Sequence, residues 1–211
     1  MAIRPRVACR YTLRVCVLAL ALSLSSVVGS DPLKDCDDIP DPASVIKACS
    51  DLIARLPGAP APYKWRGVAH LRLGNADAAI ADYTNALGIT PNDPSLYYDL
   101  AQALVKKEEY AQAIENFSRA MERKRDSALF FNGRAWAYFR MGRNANAMED
   151  IDRALAIDPK YAASYDTRAH IYEAMGRRDD AIRDFRRALA INPNDPLADI
   201  TRQGLKRLRA E

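Results

Sequence analysis

The chain has 211 residues, 49% of them hydrophobic and 27% charged, with 31 Lys plus Arg against 27 Asp plus Glu and a formal net charge of +4. The excess is local: residues 1–30 hold Arg4, Arg6, Arg10 and Arg14 and no acid, so the rest of the chain carries 27 bases against 27 acids. A formally neutral body lacks the broad basic footprint that sequence-independent nucleic-acid binding requires, and no nucleic-acid partner is expected.

Residues 1–30 have the three parts of a secretory signal: an arginine-rich start, an apolar run from Val15 to Leu24, and the small residues Val28-Gly29-Ser30 before Asp31. The run falls short of the roughly 20 apolar residues that span a bilayer. A cleaved signal, a periplasmic or secreted location and no stable membrane insertion after cleavage are therefore expected. Cys9 and Cys16 leave with the leader, and Cys36 and Cys49 remain. An even pair in an exported chain reads as a disulfide, because the compartment is oxidising. Closing so short a loop contributes about 3 kcal/mol on the chain-entropy account. Two cysteines without a nearby histidine do not supply the four ligands of a structural zinc, so neither metal nor cofactor is expected. Leu33-Lys34-Asp35 before Cys36 is charged and unlike a lipid-attachment sequence.

Segment 31–59 opens as an irregular arm rich in Pro and Asp, then reads as a helix from about Ser44 to Leu56. After it come four blocks, 60–93, 94–127, 128–161 and 162–195, in register every 34 residues without an insertion. Alanine recurs at Ala79, Ala113, Ala147 and Ala181 and again at Ala86, Ala120, Ala154 and Ala188, with Tyr83, Phe117, Ile151 and Phe185 between. Proline closes three blocks at Pro91, Pro159 and Pro193, and Arg125 stands where the fourth would fall. Apolar residues return at three- and four-residue spacing twice in each block, which predicts a pair of helices. Gly74, Gly142 and Gly176 share the column between the two helices, where a left-handed residue ends the first. Glu108 occupies that column in the second block, so its turn is expected to differ. Carried backwards, the period puts Val45, Cys49, Leu52 and Pro57 in the columns of Ala79, Tyr83, Ala86 and Pro91, which marks a half repeat.

Asp93-Pro94 and Asp195-Pro196 each present a capping carboxylate followed by proline at the first helical place. The final helix, from Pro196 to about Leu208 within 196–211, gathers Leu197, Ile200, Leu205 and Leu208 on one side and is expected to cap the fourth pair. Within the blocks, the seventh residue reads Arg66, Leu100, Arg134, Arg168 and the twenty-third Asp82, Asn116, Asp150, Asp184. The two columns change together, which predicts Arg–Asp pairs.

On these columns the chain resembles the tetratricopeptide repeat family over 60–195 in full and 45–57 in part. Tyr63, Tyr97, Phe131 and Tyr165 match the family's large residue near the block start, and Gly67, Ala101, Ala135 and Ala169 its small residue four places on. The resemblance implies an all-α, right-handed α-solenoid of antiparallel helix pairs that binds a protein or peptide partner rather than catalysing a reaction. It also implies a concave groove lined by the second, fifth, sixth, ninth, twelfth and thirteenth residues of each first helix. By that similarity the first block contributes Lys64, Trp65 and Arg72, with Val68 and Leu71. The second contributes Tyr98, Gln102 and Lys106, with Ser95, Asp99 and Val105. The third contributes Asn132, Trp136, Phe139 and Arg140, with Leu129, and the fourth Asp166 and His170, with Thr167 and Glu173. Some family members clamp a terminal carboxylate. Here Lys64 matches that pattern, but Val68, Asp99, Leu129 and Gly133 occupy its other columns.

Catalysis has little support. His70 and His170 lie in different blocks, His70 in a column otherwise held by Leu104, Tyr138 and Tyr172, and no phosphate loop, nucleophile elbow or zinc-protease motif occurs. Two functions remain. One is an exported scaffold that holds an extended peptide or partner helix in the groove. The other is an accessory subunit of an envelope enzyme or secretion assembly, docked through its convex face or ends.

Overall fold

A computed structural model of the protein describes Cys36, residues 39–194 and residues 198–209. Residues 1–30, which carry the expected signal, and Asp195-Pro196 and Leu197 lie outside the described residues. Among the described residues ten helices follow one another: α1 Pro42–Arg55, α2 Pro60–Arg72, α3 Ala76–Ile89, α4 Pro94–Lys106, α5 Tyr110–Arg123, α6 Ala128–Arg140, α7 Asn144–Ile157, α8 Ala162–Ala174, α9 Arg178–Ile191 and α10 Ala198–Arg207. Helices α2 to α9 are the four pairs of a right-handed α-solenoid, each second helix also packing on the first helix of the next pair.

Local chemistry sets the helix ends. The Asp41 carboxylate accepts from the Ser44 N–H at 2.8 Å and Asp93 from the Ser95 N–H at 2.8 Å, each ahead of a proline that is already shaped for the first turn. Gly74, Gly142 and Gly176 end α2, α6 and α8 at φ 81°, 73° and 73°. Glu108 takes φ 62° at the end of α4. The expected difference in the second block is absent: Glu109 N–H bonds the Leu104 carbonyl at 2.9 Å, as Asn75 bonds His70 at 2.8 Å and Arg143 bonds Tyr138 at 2.9 Å. Stacking on both sides fixes the geometry of this turn, and the glutamate is held left-handed against its preference.

The core follows the columns. Ala79, Ala113, Ala147 and Ala181 are fully buried, and Tyr83, Phe117, Ile151 and Phe185 fill the space between helices. Glycine appears where a backbone meets one of these rings: a Cβ on Gly133 would sit 2.6 Å from Phe117, and one on Gly204 would sit 2.6 Å from Phe185. Gly204 thus lets α10 close on the fourth pair, together with Leu205. Ile200 departs from the expected apolar side and remains 47% exposed, because Ala198, Thr201, Gly204 and Leu205 form the buried face instead.

Three blocks carry a two-pronged arginine. Arg66 donates to both oxygens of Asp82 at 3.0 and 2.7 Å, Arg134 to Asp150 at 2.8 and 2.8 Å, and Arg168 to Asp184 at 2.6 and 3.1 Å. The aspartates are only 3 to 4% exposed. Two of these arginines also reach back to the preceding unit: Arg66 donates to Ser50 Oγ and Arg134 to Ser118 Oγ, both at 2.9 Å. The pairs therefore tie the two helices of a block, and those two bridge to the unit before. In the second block Leu100 is buried, and the Asn116 amide donates to its own helix at the Gln112 carbonyl.

A second linkage escaped the column reading. The hydroxyls of Tyr63, Tyr97 and Tyr165 donate to the carbonyls of Pro57, Pro91 and Pro159 at 3.4, 3.1 and 3.0 Å. Phe131 follows Arg125, so hydroxyl and proline disappear together at one junction. The same covariation argument that found the Arg–Asp pairs would have found this one. A cleft of about 400 Å³ lies there, lined by Met121, Arg125, Phe131 and Arg134.

Cys36 and Cys49 are bonded, with Cα atoms 5.4 Å apart. Both are buried with Val45, Leu52 and Ala69, and Trp65 packs against them. Cys36 thus covers part of the face of α2 that carries Trp65 and Ala69, where the half repeat lacks a first helix.

Two stability outcomes are expected, both read by urea or thermal unfolding. Glu108→Gly relieves roughly 1–2 kcal/mol of left-handed strain and loses up to about 1 kcal/mol to a freer unfolded chain, so the variant gains about 1 kcal/mol. Arg134→Leu alone leaves the Asp150 carboxylate buried without its partner and costs about 2–4 kcal/mol, whereas Arg134→Leu with Asp150→Asn, the combination found at Leu100 and Asn116, recovers most of that loss.

Candidate functional site

The first helices α2, α4, α6 and α8 lie side by side along the inner face. The last helix continues the row. Thr201 Oγ1 donates to Asp166 at 2.6 Å and the Arg207 guanidinium donates to both Glu173 oxygens at 3.1 and 2.8 Å, so α10 sits against α8 as the first helix of a fifth unit. Between α4, α6, α8 and α10 a cavity of about 470 Å³ opens on this face.

Seven of the twelve residues assigned by similarity line it: Gln102 and Lys106 from α4, Asn132, Trp136 and Arg140 from α6, Asp166 and His170 from α8. Val105 and Thr167 from the same columns join them. Gly133 and Ala163 also stand in those columns, and Glu108 and Ile200, which were not foreseen, complete the lining. Ile200 was legible: carrying the period one block further places it in the fifth column, beside Asp166.

The other five lie elsewhere. Lys64 Nζ donates to Ser95 Oγ at 2.8 Å and faces Asp99 at 3.4 Å. Trp65 is half-buried against the Cys36–Cys49 unit, so much of its indole serves as packing rather than as free groove. Arg72 is exposed at the end of α2. The Tyr98 ring rests against Phe117 and Phe130, centroids 5.7 and 5.4 Å away, and its hydroxyl accepts from the Gln102 amide at 2.6 Å. Phe139 packs on the core around Ala135 and Ile151 and leans on Trp136 at 5.5 Å. Bulk decides these cases, because an aromatic ring on the inner face still reaches a neighbouring helix 8–10 Å away.

The cavity is electrostatically divided. At the α8 end His170 has Nε2 3.6 Å from Asp166 and Nδ1 3.7 Å from Glu173, and its ring meets Trp136 and Phe185 edge-on. Burial holds this imidazole below its ordinary range despite the two carboxylates, which keeps it neutral near pH 7. The hydrogen bonds from Arg207 hold the Glu173 carboxyl below the usual range. Outside the cavity, between α2 and α4, burial raises the Asp99 carboxyl and Lys64 opposes that shift. Arg140 stacks over Tyr110 at 5.0 Å and Trp136 at 6.0 Å and reaches Glu108 at 3.3 Å. In the middle, Asn132 Oδ1 is buried and accepts no hydrogen bond among the described residues. An unused acceptor, an indole face and two cations within one concavity offer another chain both hydrogen bonding and apolar contact.

Among the described residues no group of three or more His, Cys, Asp or Glu is placed to hold a metal ion, and no helix is long and apolar enough to cross a membrane.

Comparison with known proteins agrees with this architecture. Tetratricopeptide repeat profiles match residues 98–162 and 162–195, and a TPR repeat profile matches 67–108, so together they span more than half of the chain. Among solved structures, TTC0263, a thermophilic TPR protein in Thermus thermophilus, is 20% identical, with 78% of this chain and 91% of that one covered and a TM-score of 0.68. MamA from Desulfovibrio magneticus RS-1, residues 41 to the end, is 16% identical over 79% and 98% of the two chains, with a TM-score of 0.67. YrrB, described as a TPR protein with an unusual peptide-binding site, is 18% identical over 77% and 84%, with a TM-score of 0.59. With its profile matches, its 34-residue register and its paired helices, the chain belongs to the tetratricopeptide repeat family.

Proposed function

We propose that this protein is an exported interaction scaffold that holds an extended peptide or a partner helix in the concave groove, centred on the cavity at Trp136. The observation that carries the reading is the convergence of Asn132, Trp136 and Arg140 on one open concavity. Trp136 and Arg140 are residue types that dominate recognition surfaces, and the unpaired Asn132 acceptor matches a backbone N–H of a bound chain. The cavity suits a short segment rather than a flat docking face. YrrB, with its peptide-binding site, supplies a precedent for the use on the same fold. Residues 1–30 support export, and the Cys36–Cys49 bond suits an oxidising compartment.

Peptides selected from a random library on the purified protein test the groove. Trp136→Ala is expected to weaken the selected binders roughly 30-fold, the effect of losing a central anchor of about 2 kcal/mol, with the unfolding midpoint retained. Undiminished binding in that variant, together with loss of partner after substitutions on the outer face of α10, would transfer the function to the ends of the solenoid. Export is read from intact mass: protein recovered from its own cells is expected to begin near Asp31 and to carry no free thiol, and a full-length chain with all four cysteines reactive would remove the export reading.

A further inference from the structure

The thirteenth place of each block lies at the carboxyl end of a first helix, on the rim of the groove. It reads Arg72, Lys106 and Arg140 in three successive blocks and Ala174 in the fourth. All three cations are exposed. The side chains of Arg72 and Lys106 enter no hydrogen bond or ion pair among the described residues, and Arg72 feels only a longer-range attraction to Asp41. The partner of Arg140, Glu108, has a side chain that is itself 71% exposed. Of the acids on the inner face, Asp99 faces Lys64 and Glu173 is paired with Arg207, Asp166 accepts from the Thr201 hydroxyl, and Glu108 lies beside Arg140. Apolar side chains stand beside the cations on each helix: Val68 at 41% exposure on α2, Val105 on α4 and Trp136 on α6. With Arg72 and Lys106 unpaired and Arg140 held only by an exposed glutamate, the rim has positive charge to offer an acidic partner.

We propose that the groove selects an extended peptide with acidic side chains at every third residue, which meet Arg72, Lys106 and Arg140 in turn while intervening apolar side chains rest on Val68, Val105 and Trp136. The inference rests on the groove reading given above and adds the class of partner and its register. The spacing follows from two dimensions. Neighbouring first helices pack about 8–10 Å apart, and a chain extended in the polyproline II form advances about 3.1 Å per residue with three residues per turn, so one repeat spans about three residues and every third side chain faces the same rim. Ala174 ends the row, so a fourth acid gains nothing.

Short synthetic peptides of one composition test this, with three glutamates either spaced by three or clustered together among asparagine and apolar residues, and a spaced lysine version alongside. The spaced glutamate peptide is expected to bind roughly tenfold more tightly than the clustered one, since each exposed ion pair contributes up to about fivefold, and to weaken as salt is raised. Arg72→Glu combined with Lys106→Glu, at exposed positions that leave the unfolding midpoint near its original value, is expected to reverse the preference towards the spaced lysine peptide. Equal affinity for spaced and clustered peptides, or no response to charge reversal, overturns the register, while weakening by Trp136→Ala still keeps the groove. Peptide affinities that ignore Trp136→Ala, or no binding by any peptide, remove the groove and this inference with it.

Discussion

Everything in this molecule depends on how closely one helix approaches the next. Alanine at Ala79, Ala113, Ala147 and Ala181 removes bulk at the crossing, and Tyr83, Phe117, Ile151 or Phe185 fills the space that opens beside it. The fit is tight enough that even a methyl group at Gly67, Gly133 or Gly204 would collide with one of these side chains. Because each unit touches only its neighbours, the same interlock must be repeated at every step, and stability adds up interface by interface. The 34-residue period in the sequence is the chemical trace of that requirement.

Polar groups then fix the orientation that apolar packing leaves loose. A two-pronged contact between an arginine and a buried aspartate permits one relative rotation of two helices, and in Arg66 and Arg134 the third nitrogen adds a bond to the preceding unit at Ser50 and Ser118. Burying such a pair is not a clear gain in stability over an apolar substitute, which explains why Leu100 and Asn116 can replace it. Its use is angular. The tyrosine-to-proline-carbonyl bonds act similarly between blocks, and the junction after Arg125 does without them. The solenoid thus carries its lightest polar bracing around its second block, where Glu108 also holds a turn better suited to glycine.

The ends are solved by substitution. At the amino-terminal end a covalent bond between Cys36 and Cys49 and the flank of Trp65 cover apolar surface that a missing helix would have covered. At the other end α10 imitates a further first helix, and Thr201 and Arg207 dock it on α8 by ties to Asp166 and Glu173. This second cap also shapes the inner face: Ile200 becomes a wall of the cavity, which therefore extends one helix beyond the last complete repeat.

The fold was legible from the chain itself, because columns of small and large residues at constant spacing leave few other ways to bury apolar surface, and covarying Arg66, Arg134 and Arg168 with their aspartates even reveal side-chain partners. The groove was legible only in part. Spacing places Trp65, Tyr98, Phe139 and Trp136 on one inner face, yet Trp136 opens into the cavity while the first three spend their rings on packing, a difference set by which neighbour lies within reach. Periodicity specifies the direction a side chain leaves its helix. Only the assembled stack decides whether it then meets another helix, a buried acid or open space, and that outcome depends on contacts between residues a full repeat apart.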